Sequence, residues 1–247
     1  MNLLKRTRIH ILSSRAIHAL GALLLLAGAA GGLIQTGPLR VGEISNEQLY
    51  LNMQADPAVM ALATAALICQ LLESCAVPVF AFLLTEGAVR TGHFGRYFLR
   101  VVCLAAVCQL LWEEGLNPVF GPVLGLVMLW FFRKFPDKRP GHRTIRVFAV
   151  AGTLLWSILL GVAHGPAFLV LTAVQWGLRR KTWFRTFGGS MAALACGLFS
   201  PLYLVSPLSF LILYFYDEDR GGGNKLVSYA AYPLILLLGR LLAVAAA

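Results

Sequence analysis

The feature that most constrains the fold is one unusually long apolar stretch. It begins near Pro57 and ends only at Glu86, and it carries Pro78 in its second half. About 20 residues suffice for a helix to cross a bilayer, so a helix of this length must tilt or bend. Pro78 removes a backbone donor and its ring clashes one turn back, so we expect the bend there. Backbone groups freed by a bend need partners within protein, which predicts that this stretch lies inside a helix bundle.

The composition places the whole chain in the membrane class. Of its 247 residues, 58% are hydrophobic and only 13% are charged, whereas a soluble globular domain has about 25% charged residues. Lys and Arg number 21 against 11 Asp and Glu. In a membrane chain this excess is typical of cytoplasmic loops and not of nucleic-acid binding. We therefore expect the lipid bilayer as a partner and no nucleic acid.

Nine apolar runs predict an all-α, polytopic bundle of about 8–10 transmembrane helices. We interpret residues 1–247 as a single integral membrane domain. A basic start before an apolar run could also be a cleavable signal peptide, but the later runs favour a first membrane anchor. The runs cover residues 17–34, 57–86, 99–112, 118–132, 147–162, 167–178, 187–199, 202–216 and 226–244.

The basic residues predict the orientation. If the N-terminus is cytoplasmic and the runs alternate in direction, every Lys and Arg except Arg40 and Arg240 belongs to an inner segment. Positive residues gather on the cytoplasmic side of membrane proteins. The pattern therefore predicts a multi-pass protein of the cell (inner) membrane with its N-terminus and its basic 133–146 loop in the cytoplasm.

Several strings resemble the TraX family. They are Glu73-Ser74-Cys75-Ala76-Val77 followed by Pro78-Val79-Phe80-Ala81-Phe82-Leu83-Leu84-Thr85-Glu86-Gly87, then Arg96-Tyr97-Phe98-Leu99-Arg100, Leu116-Asn117-Pro118-Val119-Phe120 and Tyr232-Pro233-Leu234. That family is similar to the membrane acyltransferases, and its namesake acetylates the N-terminus of F-type pilin. The resemblance implies an acyltransferase-like fold, acetyl-CoA as a cytoplasmic co-substrate, and a peptide or small-molecule acceptor that the residues do not specify.

Three positions depart from the family pattern. An Asp-His pair expected in the first helix is Gly28-Ala29 here, a C-terminal His is Ile235, and an expected Arg is Ser74. Acyl transfer needs a base to take a proton from the attacking group, and His is the usual choice. The histidines of this chain lie elsewhere, and we expect them to be loop residues. The sequence therefore predicts little or no acetyl transfer.

Two carboxylates remain as catalytic candidates, Glu73 and Glu86. A carboxylate within an apolar run is costly enough to suggest a function, although Glu73 could instead be a protonated acid or pair with Arg240. Glu86 is expected to orient the helix end near Arg90. The candidate substrate-binding residues, by resemblance or by position, are Ser74, Pro78, Arg90, Tyr229 and Tyr232.

Two further features bear on the class of protein. The five cysteines lie within apolar runs and form no CxxC pair, so we expect small buried side chains and no metal. Gly28-Ala29-Ala30-Gly31-Gly32 is a small-residue face that lets another helix approach closely. Two alternatives to an enzyme stay open: a member that binds a partner protein or lipid, and a small-solute transporter, which a broken helix favours but which lacks an inverted repeat.

Overall fold

The chain is all-α in a computed structural model that describes residues 12–112, 115–137, 139–180, 182–216 and 232–241. No β-strand occurs within these ranges, only three isolated bridges. The helices are α1 (Ser14–Thr36), α2 (Asn46–Ala55), α3 (Pro57–Ser74), α4 (Ala76–Arg90), α5 (Phe94–Gln109), α6 (Phe120–Lys134), α7 (Pro140–Leu159), α8 (Gly165–Leu178), α9 (Thr182–Ala195), α10 (Leu208–Tyr214) and α11 (Tyr232–Leu241), with 3₁₀ helices at Cys196–Leu198 and Pro201–Val205.

The small-residue face of α1 packs against α3, as the sequence predicts. A Cβ atom added to Gly31 would lie 2.8 Å from Cys69 Cβ and 3.2 Å from the Ala66 carbonyl oxygen. Added to Gly28, it would overlap the Glu73 side chain. Gly32 faces open space. Two of the three glycines therefore let the helices approach closely, because any larger side chain would push them apart.

α3 and α4 together form the long apolar element, interrupted at Cys75. Pro78 is the third residue of α4, where the N–H groups of a helix have no intrahelical partner in any case. The interruption therefore falls one turn before the proline. Ser209 Oγ donates to the Cys75 carbonyl at 2.7 Å, and Gln175 Nε2 donates to the Pro78 carbonyl at 3.1 Å. The prediction that neighbouring helices satisfy this segment is confirmed.

α4 and α8 form the centre of the bundle. α4 packs against α8, α6, α1 and α10, and α8 also packs against α7 and α9. Val79, Ala81 and Phe82 of α4 are buried, and the Phe82 ring meets Tyr216 edge to face with centroids 5.0 Å apart. The stretch around Pro78 thus lies inside the protein, as predicted.

The outer faces of the helices are apolar, which reverses the pattern of a soluble protein. On α7, Phe148 is 72% exposed and Leu159 67%, whereas Thr153 and Ser157 are buried. The two buried hydroxyls donate to carbonyls of the same helix. Large contiguous apolar surfaces are rare on soluble monomers, and this arrangement is the one that a hydrocarbon solvent favours.

In the described part of the chain, two helical elements are long and apolar enough to cross a membrane: Ser14–Thr36 and the composite Pro57–Arg90. Shorter apolar helices occupy Gly165–Leu178, Pro201–Tyr214 and Tyr232–Leu241. The predicted runs thus have helical counterparts in the described chain, but the number of spans stays a prediction.

The connection between α5 and α6 is held by Asn117, which is fully buried. Its Nδ2 donates to the Ala105 carbonyl and to Gln109 Oε1, each at 2.9 Å. Its Oδ1 accepts from the Val119 N–H at 2.9 Å. Leu116 also pairs with Val162 of the α7–α8 connection. We call this end of the bundle the Asn117 end, and the end where α4 finishes the basic end.

Candidate functional site

Glu73 lies in the last turn of α3 and points at α1. Its side chain occupies the space that Gly28 leaves open, so a Cβ atom at position 28 would overlap the carboxyl group. The carboxylate makes no hydrogen bond or ion pair within the described part of the chain. Charged groups at membrane depth ordinarily pair with one another or with backbone. A carboxylate without such a partner among the described residues is unusual at this position.

The charge of Glu73 acts on the side chains of two tyrosines, Tyr203 and Tyr232. No hydrogen bond joins either phenol to the carboxylate in the described part of the chain. Ser74 Oγ donates to the Leu202 carbonyl at 2.9 Å, which joins the end of α3 to the 3₁₀ helix that carries Tyr203. We call Glu73 of α3, Tyr203 of this 3₁₀ helix and Tyr232 of α11 the Glu73 cluster.

His164 extends the cluster toward the Asn117 end. Its Nδ1 lies 2.6 Å from the Tyr203 hydroxyl, and the residue precedes α8 in a left-handed conformation with φ of +59°. Tyr203 is buried, whereas His164 is exposed. Carboxyl, phenol and imidazole groups can all accept and release protons. The arrangement can therefore carry out acid–base chemistry.

The proposed pairing of Glu73 with Arg240 is wrong. Arg240 is exposed, its Nη1 lies 3.5 Å from the Leu110 carbonyl oxygen, and no ion pair joins it to Glu73. The prediction compared only the depths of the two residues along their helices. Depth does not define which neighbour a side chain meets, and Arg240 lies beside the end of α5 instead.

Glu86 belongs to a different site at the basic end. Its Oε2 lies 3.1 Å from Arg90 Nε, and its Oε1 lies 2.6 Å from Arg185 Nη1. The Arg185 guanidinium also stacks on the Phe82 ring at 4.2 Å. Glu86 thus orients the end of α4 near Arg90, as expected, and it also ties α4 to α9. Its two ion pairs favour a structural role over a catalytic one.

The remaining candidate site residues that the structure describes lie either in the buried core or in the Glu73 cluster. Ser74 and Pro78 are buried, and their polar groups are used in the hydrogen bonds that hold the α3–α4 interruption. Tyr232 joins the Glu73 cluster. Tyr229 lies outside the described residues. Of the family's histidine positions, Ile235 is 7% exposed in the packed interior and Ala29 is partly buried on α1.

Sequence reasoning missed Tyr203 and His164. His164 was expected to be a loop residue, and it does lie in a loop. Only packing brings it to a tyrosine 39 positions further along the chain. A tyrosine and a histidine that flank apolar runs are ordinary interface residues, so local sequence carries no signal for this contact.

The described residues define an all-α protein with apolar outer faces, a broken central helix and a carboxylate, Glu73, that has no partner among them. The model of the family described as TraX protein matches residues 49–243. The chain therefore belongs to the TraX family, and that membership together with its apolar helices indicates a membrane protein. Searches of curated proteins and of solved structures each gave no match.

No group of three or more His, Cys, Asp or Glu residues could hold a metal ion in the described ranges. The five free cysteines lie apart, and Cys75, Cys108 and Cys196 are buried.

Proposed function

We propose that this TraX-family chain is a multi-pass membrane protein of the acyltransferase type, in which Glu73 is the acid–base residue. The observation that carries the proposal is the Glu73 carboxylate, which lies against Gly28 and makes no hydrogen bond or ion pair to another described residue. The family resemblance puts an Asp-His pair at positions 28 and 29. Because Gly28 admits the Glu73 carboxyl group, a carboxylate from α3 fills the space that such a pair on α1 would use.

In the proposed reaction, a nucleophilic amine or hydroxyl of the acceptor attacks the thioester carbonyl of acetyl-CoA. The new bond from nitrogen or oxygen to the acyl carbon forms while the carbon–sulfur bond breaks. Glu73 takes the proton that the nucleophile loses, and CoA leaves as the thiolate. General base catalysis of this kind contributes about 10²–10⁴-fold to the rate.

The multi-pass arrangement in the cell (inner) membrane, with a cytoplasmic N-terminus, is part of the proposal. Its support is the apolar outer surface of helices such as α7 and the gathering of arginines at the basic end. That end would face the cytoplasm, where CoA is found, and its positive charge suits the CoA phosphates. The acceptor would be a peptide amine or a small molecule.

A second candidate is a catalytically inactive member that binds a partner protein or lipid. The observation in its favour is Ile235, which is packed in the interior at the position where the family resemblance expects a histidine. Under this hypothesis Glu73 is a protonated, purely structural acid.

An assay of the purified protein with radiolabelled acetyl-CoA distinguishes the acyltransferase from the inactive binder. The sequence predicts little or no acetyl transfer because the family histidines are missing, but with Glu73 as the base we expect the wild-type chain to release CoA in the presence of an acceptor peptide. Glu73→Gln should then lower kcat by about 100-fold or more. Glu43→Gln is the matched control, because Glu43 is exposed and far from the cluster in a loop. Thermal unfolding of each variant verifies that it is folded.

The outcomes are distinct. Wild-type turnover at the level of protein-free membranes would favour the inactive binder. Turnover that survives Glu73→Gln would remove Glu73 from the mechanism while leaving the acyltransferase class intact.

A further inference from the structure

A small cavity opens at the basic end, where α4, α6 and α8 finish side by side. Its volume is about 270 Å³, and it is lined by Val89, Phe132, Arg133, Pro136, Trp176 and Arg179. The cavity thus combines two arginines with two aromatic rings and lies at one end of the bundle. It is separate from the Glu73 cluster: 16 residues of helix, or roughly 24 Å at 1.5 Å per residue, separate Glu73 from Val89.

Both arginines are held in place by the protein and keep donors to spare. Arg133 Nη1 donates to the Ala88 carbonyl at 3.0 Å, and its guanidinium lies 5.2 Å from the Phe94 ring. Arg179 Nη1 donates to the Trp176 carbonyl at 2.6 Å, and its guanidinium stacks on the same indole at 4.0 Å. A guanidinium has five N–H donors. Each arginine therefore presents further N–H groups in a fixed orientation.

The carboxylates at this end are already engaged by other arginines. Within the described ranges, Glu86 pairs with Arg90 and Arg185, and Asp137 pairs with Arg143 and Arg146. Neither contacts the arginines of the cavity.

The electrostatic surroundings of Arg179 are accordingly positive. Burial, followed by the like charges of Arg180, Arg146 and Arg185, lowers the pKa of its guanidinium. An anion in the cavity would offset this repulsion, and phosphate groups suit the planar, forked guanidinium.

The surface beside the cavity is apolar. Val89, which lines it, is 47% exposed. On the α7 side, Arg146 covers Phe132 at 4.5 Å, and the adjoining Val147 is 62% exposed. Trp130 of α6 is also exposed, and Lys134 Nζ lies over its ring, 4.8 Å from the ring centre. A layer of cations thus borders directly on an apolar surface.

We propose that this cavity binds the phosphate headgroup of an anionic phospholipid, whose acyl chains lie against the exposed apolar residues of α6 and α7. Arg133 and Arg179 contact the phosphate, and Trp176 forms the floor. A soluble phosphate compound would use the arginines but would leave the adjoining apolar surface unused. Basic pockets between helices on the cytoplasmic side are suited to anionic lipid headgroups.

Native mass spectrometry of the full chain with phosphatidylglycerol or phosphatidylcholine in mixed micelles tests this site. We expect the wild type to retain phosphatidylglycerol in preference to phosphatidylcholine. Arg133→Gln and Arg179→Gln should each weaken that retention about fivefold. Arg143→Gln is the matched control, because this arginine is at the same end but is 75% exposed and outside the cavity; its lipid retention should equal that of the wild type.

The Arg133→Gln variant also loses the hydrogen bond to the Ala88 carbonyl and could fail to fold for that reason. In that case the Arg179→Gln variant alone tests the proposal. Equal retention of both lipids, or unchanged retention in Arg179→Gln, would overturn the proposal. So would displacement of the lipid by inorganic phosphate or by CoA at equal phosphate concentration, which would identify a site for soluble phosphates. The comparison of the two lipids, the Arg179→Gln result and the inorganic phosphate result do not depend on whether the chain transfers acyl groups.

Discussion

At the scale of single residues, Gly28 and Glu73 depend on each other. A carboxyl group can lie inside this bundle only because the facing residue on α1 has no side chain. Sequence alone identified both residues, Glu73 as a carboxylate within an apolar run and Gly28 as part of a small-residue face. It did not reveal that they meet, because contacts between helices depend on the rotation of each helix about its axis.

Substitutions at two glycines of α1, Gly28 and Gly32, test the contact between Gly28 and Glu73 directly. Gly28→Ala places a Cβ against the Glu73 side chain, which must move, and we expect a loss of about 1–3 kcal/mol in stability. Gly32→Ala meets nothing within 4 Å, so we expect a gain of about 0.5–1 kcal/mol from the better helix former.

Thermal unfolding in detergent gives the sign of both changes. Equal effects of the two substitutions would mean that Glu73 does not fill the space beside Gly28. If the acyltransferase proposal is correct, Gly28→Ala should also lower turnover, whereas Gly32→Ala should not.

At the scale of helices, the central part of the fold was predictable and its edges were not. A proline in a long apolar run predicted an interrupted, buried helix, and α3–α4 confirms it. The polar residues between the first two apolar runs give no helical signal, yet they contain α2, whose hydrophobic side chains are too few to give a periodic pattern. The predicted run 202–216 is divided into a 3₁₀ helix and α10, because Pro201, just before the run, and Pro207, within it, each begin a helical segment.

The ion pairs of Glu86 join two helices that are distant in sequence. Arg185 is 11% exposed in its side chain and Glu86 is 18% exposed. Removing one partner of a buried pair leaves the other charge unpaired. We therefore expect Glu86→Gln to lower the stability by about 3–5 kcal/mol.

The matched control is the exposed pair of Arg40 and Glu43, whose side chains are 71% and 69% exposed. Glu43→Gln should cost about 0–1 kcal/mol. Denaturation of both variants in the same detergent compares them. A loss at Glu86 no larger than the loss at Glu43 would show that the connection from α4 to α9 contributes little.

At the scale of the whole molecule, the distribution of polar groups is that of a protein dissolved in lipid. Hydroxyls such as those of Thr153 and Ser157 are inside, and large apolar side chains such as Phe148 are outside. The arginines that join helices gather at the end where α4, α6 and α8 finish. The sequence predicted that basic residues gather at one end of the bundle, because positively charged residues are enriched in the cytoplasmic loops of membrane proteins.

Thiol labelling of intact cells tests the orientation. In a parent whose native cysteines are replaced by alanine, Glu47→Cys in α2 should react with a membrane-impermeant maleimide, and Arg143→Cys at the basic end should not. Both positions are exposed, so access to the reagent depends on the side of the membrane. After the cells are permeabilised, both should react; labelling of Arg143→Cys in intact cells would reverse the proposed topology.

The hydrogen bonds of Asn117 also matter to anyone who wishes to engineer this protein. The α5–α6 connection looks like an ordinary surface loop in the sequence, yet it is fastened to Ala105, Gln109 and Val119. An epitope tag or fluorescent domain inserted there would have to break that network. The connection between α1 and α2 is almost entirely exposed, apart from Leu39, and is the better place for such an insertion.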